Sequence, residues 1–574
     1  MKKLLVFLRD YKKETFLGPL FKLLEASFEL MVPLVIAAMI DKGIANADKG
    51  YTVRMCLILI LLCFVGFVSA VTAQFFAAKA AAGFAKKLKK ALFDNIQKLS
   101  FSDMDRVGTA AMITRMTSDM NQVQQGVNMT IRLLLRSPFV VFGALVMAFT
   151  IDARRAGIFA VTIFLLTVVV VFITAWSIPR YEKIQSSLDV LLKYTRENHT
   201  GVRVIRAFGL ENEEKEKFHD QSNALMNMQR FVGSVTALMN PLTYAILNLS
   251  VAFLIYKGAI YVNSGELSQG QVVALYNYMG QILVELIKLA NLVLTMTKAI
   301  ASGNRVQELL ELKSSMRDGT VTTFDRTDEH IVFKNVSMRY EGDSEDSLEN
   351  ITFSAARGEK IGVIGGTGSG KSSLINLIPR FYDARQGTVF INGRDVREYN
   401  LEALRERIGV VPQKAVLFHG SIRDNMKWGK KDASDEEIKK ALEIAQATEV
   451  VESKEGGLDF MVAQGGKNFS GGQKQRLTIA RALVRNPEIL ILDDSASALD
   501  YLTDKRLREA IAGMDNPPTT FIVSQRTSAV LGCDKIIVLD NGTVAGIGTH
   551  EQLLNSCELY KEIYDSQFKK EGAV

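Results

Sequence analysis

The sequence predicts two joined folds: an α-helical membrane domain of six long transmembrane helices extending into the cytoplasm, then an α/β domain built around a phosphate-binding loop. Three observations predict this. Apolar stretches crowd residues 16–300, whereas charges dominate after about residue 305. Several of those stretches exceed the ~18 mostly apolar residues needed to cross a bilayer core of roughly 30 Å. In the second half, Gly365-Gly366-Thr367-Gly368-Ser369-Gly370-Lys371-Ser372 fits the pattern G-x-x-x-x-G-K-[ST] between a strand-like apolar run and a helix-like run that opens at Ser373.

Length and composition frame these parts. A chain of 574 residues holds more than one domain. Its mean hydropathy of +0.11 coexists with 23% charged residues because the halves differ. The net charge of +7 is modest, and no dense basic run is interleaved with aromatics, which argues against nucleic-acid binding. Cys56, Cys63, Cys533 and Cys557 have neither metal nor disulfide spacing. The first two, seven apart in an apolar helix, read as small buried hydrophobes.

Taken in order, the N-terminus is basic (Lys2, Lys3, Arg9, Lys12, Lys13) and too broken by charge for a secretory signal. It reads as an amphipathic helix lying at the membrane surface. Six candidate spans follow at about residues 17–40, 55–78, 133–150, 156–178, 240–262 and 272–299. Arg132 and Arg136 blur the start of the third, and Pro33 and Pro241 interrupt helical runs in a way that neighbouring helices tolerate. Lys79, Lys86, Lys87, Lys89, Lys90 and Lys98 crowd the stretch between spans two and three, and the stretch between spans four and five is also basic. Both therefore face the cytoplasm, together with both termini. A short connector with Arg154 and Arg155 dissents. The two basic stretches run about 50 to 60 residues without turn clusters, so the helices continue well past the bilayer.

The phosphate loop identifies a nucleoside triphosphate as ligand. Glycines let backbone N–H groups converge on phosphate oxygens, and the helix start adds its positive dipole end. Lys371 reaches the β- and γ-phosphates, and the Ser372 hydroxyl ligates Mg2+. Farther on, the apolar strand Ile489-Leu490-Ile491-Leu492 ends in two carboxylates, Asp493 and Asp494.

Asn468-Phe469-Ser470-Gly471-Gly472-Gln473-Lys474-Gln475-Arg476 resembles the signature motif of ATP-binding cassette (ABC) proteins. Other pieces match that family in order and spacing over residues 331 to about 560. Tyr340 stands where an aromatic stacks on adenine, Gln413 at the Q-loop, and Ser497-Ala498-Leu499-Asp500 at the D-loop. The resemblance implies ATP as the nucleotide, Mg2+ held by Ser372, Gln413 and Asp493, and Ser470 to Gln473 gripping a phosphate from the opposite side.

Three positions depart from the family. Asp494 replaces the Glu that polarises the attacking water, Gln525 replaces the switch His, and Gln464 replaces a Glu before the signature. Losing one methylene withdraws the carboxylate by about 1.5 Å, and misplacement by about 1 Å can cost ~100-fold in rate. Gln525 can hydrogen-bond but cannot become a cation. The expected site binds ATP and hydrolyses it slowly.

The first half resembles the membrane domain of ABC exporters. Residues 101–108, including Arg106, Val107 and Gly108, are similar to the first intracellular loop, and residues 201–211, with apolar Val204, Ile205 and Phe208, to the second. In that family these tips are coupling helices that dock on ATPase domains. The resemblance thus implies a half-transporter: a transmembrane domain over residues 1–305, a linker over 306–330 and a nucleotide-binding domain over 331–574. A cassette completes its site only with the signature of a second one, so a partner half-transporter is implied. The Asp494/Gln525 pattern with an intact signature looks like the degenerate subunit of bacterial heterodimeric multidrug exporters. A homodimeric exporter or lipid flippase, an importer on the same fold, and an ATP-gated channel or regulatory subunit stay open. Substrate candidates lie on the last span: Tyr276, Tyr278, Gln281, Glu285, Lys288 and Asn291. Aromatic and amide groups with one carboxylate suit amphipathic drugs, lipids or peptides. Glu285 and Lys288, at i and i+3, serve equally as a self-neutralising pair.

Overall fold

Six helices long and apolar enough to cross a membrane stand among the residues described by the computed structural model, 2–153, 156–495 and 497–568. They are Lys3–Ile44, Lys49–Ile96, Thr109–Ile151, Gly157–Thr200, Glu211–Asn263 and Gln269–Glu311. At 1.5 Å per residue each is about 60 to 80 Å long, twice the bilayer core or more. The apolar centre of each span therefore carries a polar extension, as the long basic stretches require. Arg154 and Arg155 lie outside the described residues.

Packing within this helical unit follows side-chain size. The first helix packs on the second, the third on the sixth and the fourth on the fifth. Ala73, Ala77, Ala80, Ala81 and Ala85 of the second helix are all buried, a small-residue stripe that lets backbones approach. A Cβ added at Gly126 would stand 2.2 Å from the Ala299 Cβ, so the third and sixth helices meet only because that position is glycine. The opposite face of the second helix exposes Leu57, Ile60, Phe64 and Phe67, as a helix solvated by lipid does. Cys56 and Cys63 are exposed on this helix, which corrects their reading as buried hydrophobes. The membrane setting removes the driving force that would have buried them.

The chain divides into two compact units: Met1–Gln97 with Ala110–Leu312, and Lys98–Thr109 with Lys313–Val574. The sixth helix continues to Glu311, six residues past the expected end of the helical domain, and residues 98–109 group with the second unit. The connecting stretch lies on that unit: Val321 bridges to Tyr399, and Phe324 stacks on the Tyr399 ring at 4.3 Å.

The second unit is α/β. Its main sheet runs Thr543–Gly548, Lys535–Asp540, Lys360–Gly365, Thr519–Val523, Ile489–Asp493 and Ile408–Val411, parallel except for the first strand. These strands are nearly continuous runs of Val, Ile and Leu because both faces of the sheet are buried, one under helices and the other against the antiparallel sheet and the helix after the phosphate loop. An antiparallel sheet, led by Glu329–Met338 and Leu348–Ala356, carries Tyr340 just beyond its first strand.

Candidate functional site

The strand register brings the chemistry together. Val523 pairs with Val363 on one side and with Asp493 on the other, so three neighbouring strands end at one edge. From that edge emerge the phosphate loop, the carboxylate pair and the turn carrying Gln525, at the carboxyl ends where open α/β sheets bind ligands.

The loop geometry depends on glycine. Gly368 and Gly370 have φ of +84° and +92°, and a Cβ on Gly365 would meet Leu539 O at 2.2 Å. Lys371, first residue of the helix Lys371–Leu377, donates Nζ to Gly365 O at 3.0 Å and Gly366 O at 2.5 Å. Burial lowers its pKa, while Asp493 and Asp494 pull the other way. Ser372 Oγ donates to Asp493 at 3.2 Å, and burial with the neighbouring Asp494 raises the Asp493 pKa despite that bond. A hydroxyl and a carboxylate this close, with the Gln413 amide in the same cleft, form a hard-oxygen donor set that suits Mg2+ shared with phosphate.

One cleft of about 470 Å3 gathers Tyr340, Thr367, Gly368, Gly370, Lys371, Ser372, Ser373, Gln413, Asp493, Asp494 and Gln525. The Tyr340 hydroxyl lies 3.0 Å from Ser373 Oγ. Asp494 sits at φ +45°, a left-handed conformation that Asp tolerates better than most residues. Its N–H donates to Val523 O, and its carbonyl accepts from Ser497 N and Oγ.

The signature stands apart from this cleft. Ser470 caps the helix Gly471–Leu483, its Oγ accepting from Gln473 N while the Gln473 side chain accepts from Ser470 N. Ser470 and Gly471 are exposed at a helix N-terminus, a geometry that favours an anion. Asp500 caps the helix Tyr501–Ala512 through Thr503, and Gln464 is exposed. The chain folds these groups without assembling them on its own phosphate loop.

The first intracellular tip is the helix Phe101–Val107, opened by a capping box between Ser100 and Asp103 and closed by Gly108 at φ +79°. Burial raises Asp103, but bonds from Ser100 and Ser315 outweigh it and leave its pKa lowered. Arg106 reaches Glu341 at 3.2 Å, and Phe101 packs on Phe381 at 4.8 Å. The second tip, Val202–Phe208, has no buried residue: Val204 is 59% and Phe208 75% exposed. A groove of about 600 Å3 on the α/β unit, lined by Phe381, Val410, Phe418 and Trp428, went unnoticed in the sequence. The pairing of Phe418 and Trp428, stacked at 4.3 Å, was its only trace.

The substrate candidates separate. Tyr276 and Asn291 are exposed, and Gln281 Oε1 is buried without a hydrogen-bond partner. Tyr278 is fully buried and donates to Leu30 O at 2.6 Å. Glu285, 2% exposed, accepts from Lys288 Nζ at 2.8 Å, Ser137 Oγ at 2.8 Å and Arg136 Nη1 at 2.5 Å. The polar atoms of Tyr278 and Glu285 are thus engaged within the helical unit, Glu285 in the pairing with Lys288 that its spacing allows. Arg136, which seemed a blemish in a span, also donates Nη2 to Glu29 at 2.6 Å and so ties the first, third and sixth helices.

Residues 15–286 match the family description "ABC transporter transmembrane region", and residues 348–497 match "ABC transporter". Over its whole length the chain is 35% identical to the whole of the uncharacterized ABC transporter ATP-binding protein YfiB of Bacillus subtilis. It is 30% identical to a putative multidrug export ATP-binding/permease protein of the same organism, over 99% of each chain. An ATP-dependent lipid A-core flippase of Haemophilus ducreyi is 28% identical over 99% of this chain and 98% of the flippase. In fold it matches a bacterial Atm1-family ABC exporter solved with ATP bound, with TM-score 0.79, 23% identity, and coverage of 98% of this chain and 99% of the other.

Proposed function

The chain belongs to the ABC transporter family, as an exporter half-transporter whose cassette is an ATPase coupled to transport, and from that premise we propose that it exports amphipathic substrates as one half of a heterodimer. Its own ATP site is the slow one. The observation that carries this reading is the placement of Asp494 and Gln525 in the phosphate cleft, just past the ends of the next two strands on one side of the loop's own. There the carboxylate is one C–C bond too short to polarise water, and the switch position holds an amide that hydrogen-bonds the γ-phosphate without adding charge.

Within this reading Lys371 holds the β- and γ-phosphates, Tyr340 stacks on adenine, and Ser372, Gln413 and Asp493 hold Mg2+. When bound with ATP, Mg2+ neutralises charge building on the phosphates. Ser470 to Gln473 complete the partner's hydrolytic site, and Asp500 sits between the two. The cassette and both termini face the cytoplasm, as the Lys-rich extensions of the helices argue. Arg106, Val107 and Gly108 couple the first loop to this chain's cassette. Val204, Ile205 and Phe208 dock in the groove at Phe418 and Trp428 of the partner's cassette, which removes two exposed apolar surfaces at once. Tyr276, Gln281 and Asn291 contact substrate, with Lys288 held by Glu285.

A second reading keeps one specific support. The capped, intact signature helix could complete a second copy of this same chain's site, giving a homodimeric exporter or lipid flippase. Purification of the tagged chain from its own host separates the two. A second, different half-transporter at one-to-one stoichiometry supports the heterodimer. A homodimer with full ATPase activity overturns it.

A further inference from the structure

The turn that carries Gln525 is held from outside the cleft by a single side chain. Gln567, in the helix Glu558–Phe568, donates Nε2 to Gln525 O at 2.9 Å. Its Oε1 accepts from Thr527 N at 2.8 Å and from Thr527 Oγ1 at 3.0 Å. Both ends of the amide are engaged, so its orientation is fixed by the partners it meets. Thr527 opens the short helix Thr527–Val530, whose N-cap residue, Arg526, makes no side-chain capping bond. Gln567 supplies the missing acceptor.

The helix presenting Gln567 is itself anchored. Tyr560 is fully buried with its hydroxyl 2.8 Å from His550 Nδ1, and Tyr564 stacks on Phe568 at 4.7 Å. On the other side of the turn, Arg526 N donates to Ser524 Oγ at 3.0 Å. The two exposed residues Gln525 and Arg526 are thus bracketed by fixed groups, Ser524 before them and Gln567 across them.

We infer that Gln567 is a positioning residue for Gln525, fixing the backbone of its turn so that the Gln525 amide stays aimed at the terminal phosphate of a bound nucleoside triphosphate. The inference rests on the proposed role of Gln525. Because only that phosphate distinguishes ATP from ADP, the clamp sets the preference of this chain's own cleft for ATP over ADP. A merely structural Gln567 would weaken both nucleotides alike.

The test measures ATP and ADP affinities at this chain's site in the assembled full-length transporter. The variants are Gln525→Ala, Gln567→Ala, Gln567→Glu and Gln525→Ala/Gln567→Ala. Gln567→Glu keeps the acceptor for Thr527 but sets a carboxylate oxygen against Gln525 O. Both Gln567 variants are expected to reduce the ATP-over-ADP ratio about threefold to tenfold, the range of one lost hydrogen bond. The double variant should lose no more than Gln525→Ala alone. If Gln525→Ala shifts the ratio while neither Gln567 variant does, the clamp is overturned and the role of Gln525 stands. An unchanged ratio in Gln525→Ala overturns both.

Discussion

The Tyr382 hydroxyl donates to Asp105 Oδ2 at 2.6 Å, which joins the first intracellular tip to the phosphate-loop side of the α/β unit. The Tyr382 ring meets Tyr340 edge-on at 5.1 Å, and Tyr340 in turn touches Ser373 beside the loop. Glu341, next in sequence to Tyr340, takes Arg106 and Ser102 from the same tip. In the proposed coupling, movement of the tip would reach Tyr340 and Glu341 first. Tyr382→Phe keeps the ring and removes the bond to a carboxylate. Because Asp105 is exposed to water, the loss is expected to be about 1 kcal/mol, or roughly fivefold, in coupling. The ratio of substrate-stimulated to basal ATPase activity should fall while basal activity changes little. An unchanged ratio would remove Tyr382 from the coupling route.

Gly471 gives a clean probe of the signature, because a Cβ added there meets no atom within 4 Å. A bulky residue at that position leaves the chain's own fold unstrained and blocks only what approaches the helix N-terminus. In the assembled complex, Gly471→Tyr is expected to reduce steady-state ATPase activity about 100-fold. Asp494→Ala should leave it within about twofold, since the chemistry is assigned to the partner's site. The reverse order of damage would make this chain the main hydrolase.

Arg136 and Glu285 predict a stability effect inside the helical unit. Removing the arginine leaves a buried carboxylate without one of its two cationic partners, and breaking a buried pair typically costs about 3–5 kcal/mol. Arg136→Met should therefore lower the melting temperature of the detergent-solubilised protein sharply. Replacing both members, Arg136→Met with Glu285→Leu, should recover much of that loss, because the apolar pair has no charge to desolvate and Lys288 and Glu29, which lose these partners, are partly exposed. A double variant as unstable as the single one would show that the pair does not act through its charges.

What could be read from the sequence, and what could not, divides along chain distance. The phosphate loop was legible because Gly368 and Gly370 encode their own left-handed backbone, and the lysine and serine follow at fixed offsets. The six helices were legible because their apolar runs are continuous. The role of Arg136 was not legible because its partners Glu285 and Glu29 lie 149 and 107 residues away. Tyr382 and Asp105 are 277 apart, and no local pattern marks either. Gln567 was invisible for the same reason: an amide in a polar helix has no signature until the turn it caps is beside it.

His330 gives the α/β unit a pH dependence. It is 1% exposed, with Nδ1 2.7 Å from the Thr519 hydroxyl and Nε2 without a hydrogen-bond partner. Burial, with the nearby Arg357 charge, pushes its pKa down to about 4, although Glu488 opposes this. In the unfolded chain it titrates near 6.5, so below that pH the unfolded state binds a proton that the folded state refuses. Stability is complete above about pH 6.5 and declines as pH falls toward 4, by about 3 kcal/mol in all. Melting temperature measured from pH 7.5 to 5 should fall more steeply for the parent than for His330→Gln. Parallel curves would exclude His330 as the source.

Repair of Asp494 and Gln525 is the most direct check on the proposal that this site is slow. Asp494→Glu restores the missing reach of about 1.5 Å, and Gln525→His restores a group able to carry charge at the γ-phosphate. The backbone sets a cost on the first change, since Asp494 holds φ +45° and a longer side chain tolerates that region less well. A catalytic set acts as a unit, so each substitution alone should gain little and the pair should gain more than the sum. About tenfold is expected, well below the ~100-fold that a 1 Å error can cost, because the rate at this cleft also depends on the signature of whichever partner completes it. Single-turnover hydrolysis in complexes whose partner site has been disabled isolates this cleft. A double variant no faster than the parent there would show that the slowness lies elsewhere than in Asp494 and Gln525.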